Sequence, residues 1–239
     1  MKICCLIPAF NEKGNLKELI EKLEAFFTKE KIKFFIFFVI QGNDGSCALL
    51  SQLKLKHKHI DFICFPNALG IGKAYRVGFK KVAEMPKEYT HILTLDADLN
   101  HNPAELPKFF ESAKSTHADI IIGSRFVQGS KFQDKRIWKR IVSTLVNVCI
   151  TKLLKIPIQD TTSGFRLIKR TVVDTLQNTL SENGYPAYME FILLAHRKKF
   201  RMREVSITYA PRKWGVSKMN MIRTFLDYLF FLPGVFTRF

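Results

Sequence analysis

Apolar residues fall along this chain in two rhythms. Short, almost wholly apolar runs alternate with stretches in which apolar positions recur every three or four residues. Ile3 to Pro8, Lys33 to Ile40, Ile60 to Phe65, His91 to Leu95 and Asp119 to Ile122 are rich in β-branched and aromatic residues and predict strands. Between them, Leu16, Ile20, Leu23 and Phe27 share a helix face behind an Asn15-Leu16-Lys17-Glu18 capping box. Ile71 to Met85 and Pro103 to Ser115 predict two more helices, the latter opened by Asn102, Pro103 and Glu105. Strands alternating with helices predict an α/β fold with a doubly wound, mostly parallel sheet. The near-continuous apolar runs predict strands buried on both faces.

Beyond residue 130 the pattern changes. In Lys131 to Lys155 a wide apolar stripe containing Ile137, Trp138, Ile141, Val142, Leu145, Val146 and Cys149 lies beside Lys135, Arg136, Lys139 and Arg140. This fits an interfacial amphipathic helix, or a core helix with a solvated basic edge. Arg201 to Tyr209 alternates like a strand. Met219 to Phe239 is aromatic-rich but broken by Arg223, Asp227 and Pro233. Such a segment can lie on a membrane, cover the sheet or form a dimer contact. The expected division is a catalytic domain over 1–218 and an amphipathic tail over 219–239.

Composition changes the picture in one respect. Hydrophobic and charged fractions of 47% and 25% are ordinary for a 239-residue globular chain, but a net charge of +17 is not. It calls for an anionic partner: a phosphorylated substrate, an anionic membrane surface or nucleic acid. No nucleic-acid signature occurs, so that partner is not expected. The five cysteines, Cys4, Cys5, Cys47, Cys64 and Cys149, lack Cys-x-x-Cys spacing and read as reduced core thiols of a cytosolic protein. No signal peptide and no spanning apolar run are present, so a cytoplasmic protein, peripheral at the cytoplasmic face of a membrane, is expected.

The candidate chemistry centres on Thr94-Leu95-Asp96-Ala97-Asp98-Leu99-Asn100. A strand ends here and a helix is about to begin. Residues i and i+2 of an extended chain share a side, so Asp96 and Asp98 are expected to converge beyond the sheet edge. Two hard oxygen ligands suit Mg²⁺ or Mn²⁺ with substrate phosphates. Polar loops follow the first three strands: Pro8 to Glu12, Gln41 to Ser46 and Asn67 to Lys73. In a parallel sheet they line one crevice, where Gly70 and Gly72 permit close approach of a ligand. Tyr75 stands where a dinucleotide fingerprint needs its third glycine. Three loops bring arginines suited to phosphate: Arg125, Arg166 and Arg212.

Six motifs in order and spacing, from Ile7-Pro8-Ala9-Phe10-Asn11-Glu12 through Leu69 to Tyr75, Leu95 to His101, Gly123 to Phe126 and Ser163 to Leu167 to Arg212-x-x-Gly215-x-Ser217-Lys218, resemble family 2 glycosyltransferases of the dolichyl- or polyprenyl-phosphate mannose synthase type. The resemblance runs from residue 3 to about 220. It implies a nucleotide-sugar glycosyltransferase type A fold, a divalent metal, a nucleotide-sugar donor (GDP-mannose) and a lipid-phosphate acceptor. It implies metal ligation by Asp96, Asp98 and Asn100. Donor binding would fall to Pro8, Phe10, Glu12, Gln41, Asp44, Gly70, Gly72, Lys73, Asp96 and Ala97. Acceptor-phosphate binding would fall to Arg125, Lys139, Ser143, Arg212 and Lys218. Asp98, Arg125, Asp160 and Arg212 would carry catalysis, with Asp160 and Glu190 orienting the cations. The implied reaction is an inverting displacement, and an ionised phosphate acceptor needs no strong base.

Three departures stand out. Gln41-Gly42 occupies the place of an expected Asp-Asp pair, Lys139 stands where Arg is expected, and no transmembrane helices follow. The first leaves a uridine-dependent glucosyl or N-acetylhexosaminyl transferase, or an inactive basic membrane- or nucleic-acid-binding relative, as alternatives.

Overall fold

The computed structural model describes residues 1–133, 144, 147–148, 150–210, 214 and 221–238. Its centre is a seven-stranded sheet in the order β3-β2-β1-β4-β7-β5-β8. The strands are β1 (Lys2–Phe10), β2 (Lys33–Gln41), β3 (Ile60–Phe65), β4 (His91–Thr94), β5 (Ile120–Ser124), β7 (Arg166–Lys169) and β8 (Met202–Ser206). A separate ribbon pairs β6 (Lys131–Phe132) with β9 (Thr208–Tyr209). All sheet pairs are parallel except those of β7, which runs antiparallel between β4 and β5. The predicted mostly parallel sheet is therefore present.

The alternation of side chains across the pleat explains the continuous apolar runs. Cys4 and Leu6 of β1 join one core layer, and Ile3, Cys5 and Ile7 join the other. The second layer is covered by α1 (Lys13–Lys29), α2 (Ser46–Lys56) and α4 (Leu106–Thr116). On the first lie α3 (Ile71–Glu84), α5 (Arg170–Leu176), α6 (Ala187–Arg197) and one face of α7 (Met221–Arg238). The strand order reverses direction between β1 and β4. That switch point opens a crevice at the carboxyl ends of the strands.

Several expectations need correction. α1 begins at Lys13 with Glu12 in the capping position, not at an Asn15 capping box. Its first N–H finds an acceptor from elsewhere in the fold, Asp44 Oδ2 at 2.9 Å from Lys13 N. Asn102 does cap, with Oδ1 accepting from Ala104 N at 3.1 Å. A 3-10 turn, Pro103–Glu105, precedes α4, and Glu105 is drawn to Thr208 N at 3.2 Å. The strand expected over Arg201 to Tyr209 breaks at Ile207 into β8 and β9. Among the cysteines, Cys4 and Cys5 are buried thiols, and burial pushes Cys4 up to about 12. Cys47 and Cys64, expected to be reduced, form a disulfide. Helix α2, which the apolar pattern did not announce, sets Cys47 over the exposed residue Cys64 of edge strand β3, with 6.3 Å between their Cα atoms. Cys149 lies outside the described residues.

The basic, Trp-bearing part of the 131–155 stretch also lies outside the described residues. Its end is core-facing: Ile150 is buried and Leu154 packs on the same layer. Residues 221–238 form one helix with two characters. Phe231 and Val235 are buried, whereas Phe225 and Phe230 are 62% and 78% exposed.

Candidate active site

At the switch point lies a cavity of about 860 Å³. Ligand clefts span roughly 300–1,000 Å³, so it is large enough for a nucleotide-sized ligand. Pro8 and Phe10 at the end of β1, Glu12 just after it, Gln41 at the end of β2, Gly70, and Asp96, Ala97 and Asp98 after β4 all line it. The sequence had placed these eight residues in one crevice. The loops owe their convergence to the parallel strands, which end on one edge.

The two carboxylates lie beyond the end of the strand. β4 ends at Thr94, residues 97–98 turn, and Leu99 takes a left-handed φ of 62°. They still face one cavity, because the turn folds the loop over its own polar groups. Asp98 is buried, and its oxygens accept from Asn100 N and Asn100 Nδ2 at 3.1 and 3.0 Å. Asp96 is more open, and its Oδ1 accepts from the Tyr188 hydroxyl at 3.0 Å. His101 Nδ1 lies 3.6 Å from Asp96 Oδ2, a distance that would suit an ion pair. The same nitrogen, however, accepts the Asp96 N–H at 3.1 Å, so it carries no proton. Burial pulls His101 down to about 4, which agrees with a neutral ring. Asn100 Nδ2 also donates to the Tyr209 hydroxyl at 2.9 Å, while its Oδ1 is buried with no hydrogen-bond partner. An orphaned acceptor beside two carboxylates is a hard oxygen donor set, and it fits a small divalent cation.

Beyond Tyr209 lies the cation. The Arg125 guanidinium sits 5.8 Å from the Tyr209 ring and pairs with Asp160 through two bonds of 2.8 Å, Nε to Oδ2 and Nη2 to Oδ1. Asp160 is fully buried. Burial by itself would raise its carboxyl, but Arg125, the Arg125 backbone N–H and Thr162 together hold it below the usual range. Its loop is fixed from behind by Asn147, whose Oδ1 accepts from Thr161 N and Oγ1 at 2.8 and 2.6 Å. Asp160 is thus the expected orienter of Arg125.

Other predicted residues have different work. Asp44 is absent from the cavity lining: Oδ2 serves Lys13 N, and Oδ1 takes Ser46 N and Oγ at 3.0 and 2.6 Å. Gly72 is buried, and a Cβ there would meet Glu182 O at 2.2 Å. At Gly70, with φ of +87°, it would meet Asn183 O at 2.5 Å. What approaches these glycines is the chain's own 181–184 loop, whose Asn183 O accepts from Gly72 N at 2.8 Å. Lys73 is exposed and outside the lining. Among the described residues, Glu190 is paired with no arginine. It is buried and accepts from Ser181 N, Ser181 Oγ and Glu182 N, so it holds that same loop at the cavity rim. Arg166 was expected on a phosphate-binding loop but begins β7. It is buried between the Tyr188 and Phe191 rings and donates to Thr161 O and Tyr188 O at 2.9 and 2.8 Å. Burial lowers it to about 10, so it stays charged at neutral pH. Lys139, Ser143, Arg212 and Lys218 lie outside the described residues.

Sequence reasoning missed Tyr188, Tyr209 as a site residue, and the α7 residues Arg223, Asp227 and Phe230 that close one side of the cavity. Their signal is tertiary. Tyr188 sits 92 positions from Asp96 and Tyr209 sits 109 from Asn100.

The profile of Glycosyl transferase family 2 matches residues 4–177. A polyprenol monophosphomannose synthase of Mycolicibacterium smegmatis is 30% identical over 219 residues, covering 90% of this chain and 80% of that protein. A dolichol-phosphate mannosyltransferase of Pyrococcus furiosus is 29% identical over 232 residues, covering 96% of this chain; the chain spans only 62% of that protein's length. Among solved structures, glucosyl-3-phosphoglycerate synthase of Mycobacterium tuberculosis with uridine diphosphate superposes with a TM-score of 0.65 at 13% identity, covering 99% of this chain and 79% of that one. The same enzyme with Mn²⁺, uridine diphosphate and phosphoglyceric acid gives 0.64 at 13% identity, covering 95% and 77%. At such identity the likeness is one of fold.

Proposed function

This chain belongs to glycosyl transferase family 2 and is a glycosyltransferase of type A fold, and we propose that it transfers mannose from GDP-mannose to a polyprenyl or dolichyl phosphate at a membrane surface. The observation that carries the reading is the Asp96 and Asp98 carboxylates in the switch-point cavity, with the buried, unpartnered Asn100 Oδ1 behind Asp98 and the Arg125–Asp160 pair beyond Tyr209. The two mannose-transferring relatives, matched over most of the chain, support the choice of sugar and acceptor.

In this reading Asp96, Asp98 and Asn100 hold Mg²⁺ or Mn²⁺. Such an ion, when bound, neutralises charge on a diphosphate leaving group. Pro8, Phe10, Glu12, Gln41, Gly70 and Ala97 form the donor side of the cavity. Glu12 is itself set by Asn15 Nδ2 at 2.6 Å, and Gln41 Oε1 accepts from Leu69 N at 2.7 Å, so both walls are fixed. Arg125, kept charged and oriented by Asp160, attracts the acceptor phosphate, with Lys139, Ser143, Arg212 and Lys218 assigned to the same anion. An ionised phosphate oxygen attacks the anomeric carbon as the bond to the diphosphate breaks, which inverts that carbon. Positioning two anions in line is then the main task of the protein. Residues 1–218 are the catalytic domain in this scheme. The exposed Phe225, Leu226, Leu229 and Phe230 of α7 would seat the segment on the cytoplasmic face of a membrane, next to the cavity that Phe230 borders. Among the described residues no helix is long and apolar enough to cross a membrane.

Thermal unfolding with GDP or UDP, with and without Mn²⁺, tests the reading. A ligand at about 100 times its Kd raises the midpoint of a domain this size by roughly 5–10 °C. The expected result is a shift with GDP only when Mn²⁺ is present. A shift with UDP instead would overturn the mannose assignment in favour of a uridine-dependent transferase, and no shift in folded protein would leave an inactive relative.

Tyr188→Phe provides a finer test, because it removes only the hydroxyl donated to Asp96 Oδ1. Loss of such an outer partner costs about 10–100-fold in metal affinity. The Mn²⁺ concentration for half-maximal transfer is expected to rise by at least about tenfold, with an unchanged near-ultraviolet circular dichroism spectrum. An unchanged Mn²⁺ dependence would remove Asp96 from the metal site.

A further inference from the structure

At the opposite edge of the sheet, far along α1 from the cavity, Glu24 meets two histidines. Glu24 Oε1 lies 2.6 Å from His57 Nδ1 and 2.6 Å from His59 Nε2. The three ligand atoms fall within 4.8 Å of one another, the one such group of three among the described residues. We propose that Glu24, His57 and His59 form a binding site for Zn²⁺ or a transition metal of like preference, distinct from the carboxylate pair at the cavity.

The chemistry separates the two sites. Two imidazoles and a carboxylate suit Zn²⁺, Cu²⁺ or Ni²⁺, whereas an all-oxygen set suits Mg²⁺ or Mn²⁺. The backbone is already fixed. His57 N donates to Leu53 O at the end of α2, Ile60 N donates to His57 O, and Ile36 N of β2 donates to His59 O at 2.8 Å. The His59 ring stands edge-on to Phe34 at 4.6 Å, and Phe34 stacks on Phe27 at 4.9 Å. Without metal, one carboxylate oxygen serves two ring nitrogens. Tetrahedral bonds of about 2.0–2.1 Å put ligand atoms roughly 3.3 Å apart, so the two oxygen–nitrogen separations need open by only about 0.7 Å. All three are one-fifth to one-third exposed, which leaves them room and gives the ion a path in. Exposed Lys56 and Lys58 flank the site and oppose a cation, but from solvent, where their charge is screened. A bound ion clips α1 to the α2–β3 connection. It touches nothing at the cavity, so its expected role is structural.

The test uses the full chain, stripped with chelator and titrated with ZnCl₂ in excess Mg²⁺, read by calorimetry and thermal unfolding. One Zn²⁺ per chain is expected, with a midpoint rise of roughly 5–10 °C at about 100 times Kd. His57→Ala/His59→Ala is expected to abolish both signals. Glu24→Gln keeps an oxygen that accepts two N–H donors, so its metal-free midpoint should match wild type while the Zn²⁺ shift drops away. No Zn²⁺ binding by folded wild type, or a shift that survives in both variants, overturns the site. Nucleotide-dependent shifts should be the same in all three proteins, which keeps this result apart from the donor-site test.

Discussion

Asp98→Ala is expected to lower sugar transfer by at least about a thousandfold while the protein stays folded. Removing a single preorganised electrostatic group at a reacting centre costs about 10²–10³ in rate, and Asp98 is proposed both to ligate the ion and to set its neighbour. The second effect is visible in the loop. Asp98 accepts both Asn100 N and Asn100 Nδ2, so its loss also frees the amide that aims the orphaned Oδ1. The structural penalty should be small, because both partners lie within one turn. Two lost hydrogen bonds at about 1 kcal/mol each move the midpoint by only a few degrees. Formation of lipid-linked sugar, with a melting curve on the same sample, checks this. Transfer within tenfold of wild type would remove Asp98 from the metal site, and a collapsed melting curve would show that the loop is structural first.

The largest stability effect is expected at Asp160. Asp160→Ala leaves the mostly buried Arg125 guanidinium against Tyr209 and Phe126 without its carboxylate. Breaking a buried ion pair from one side costs about 3–5 kcal/mol. At 2–4 °C for each kcal/mol, the midpoint should fall by roughly 6–20 °C. Asp160→Ala/Arg125→Ala should lose less than the sum of the two single changes, because no unpaired charge remains. The pH dependence has a definite sign. The Asp160 carboxyl is held below its ordinary value, against the pull of burial, by Arg125. Its contribution is therefore complete above the unfolded value of about 4 and is lost as pH falls through the folded value. The gap between wild type and Asp160→Ala should be full at pH 7 and narrow below about pH 4. A gap that stays constant down to that range would mean the pair is not what stabilises the loop.

Local sequence was sufficient for the frame of the site. Apolar runs with β-branched and aromatic residues marked β1, β2, β4 and β5 because a strand buried on both faces has no solvent side to vary; β3 was marked the same way although it is an edge strand whose Ile63 and Cys64 are exposed. Parallel strands then force the loops after β1, β2 and β4 to one edge, so Pro8, Glu12, Gln41, Asp96 and Asp98 could be grouped before any contact was known. Asp160 was legible only as a carboxylate near arginines; that it chooses Arg125 and not Arg166 depends on β7.

Tertiary structure decided the rest, for reasons local patterns do not contain. β7 is four residues long and enters antiparallel between β4 and β5, so it carries no periodic signal of its own, yet it turns Arg166 from a phosphate ligand into a buried prop under Tyr188. Asp44 looks like a site carboxylate until two helix starts claim its oxygens. Gly72 looks like part of a ligand loop until the 181–184 loop fills the space a side chain would need, while Gly70 meets the same loop and still lines the cavity. Cys47 and Cys64 meet only because an unannounced helix crosses an edge strand. Sequence fixes which chemistry the chain can bring to the sheet edge, because residue type and strand ends are local properties. Which group is spent on holding the fold and which is left facing the cavity depends on partners up to 109 positions away, and only packing chooses among them.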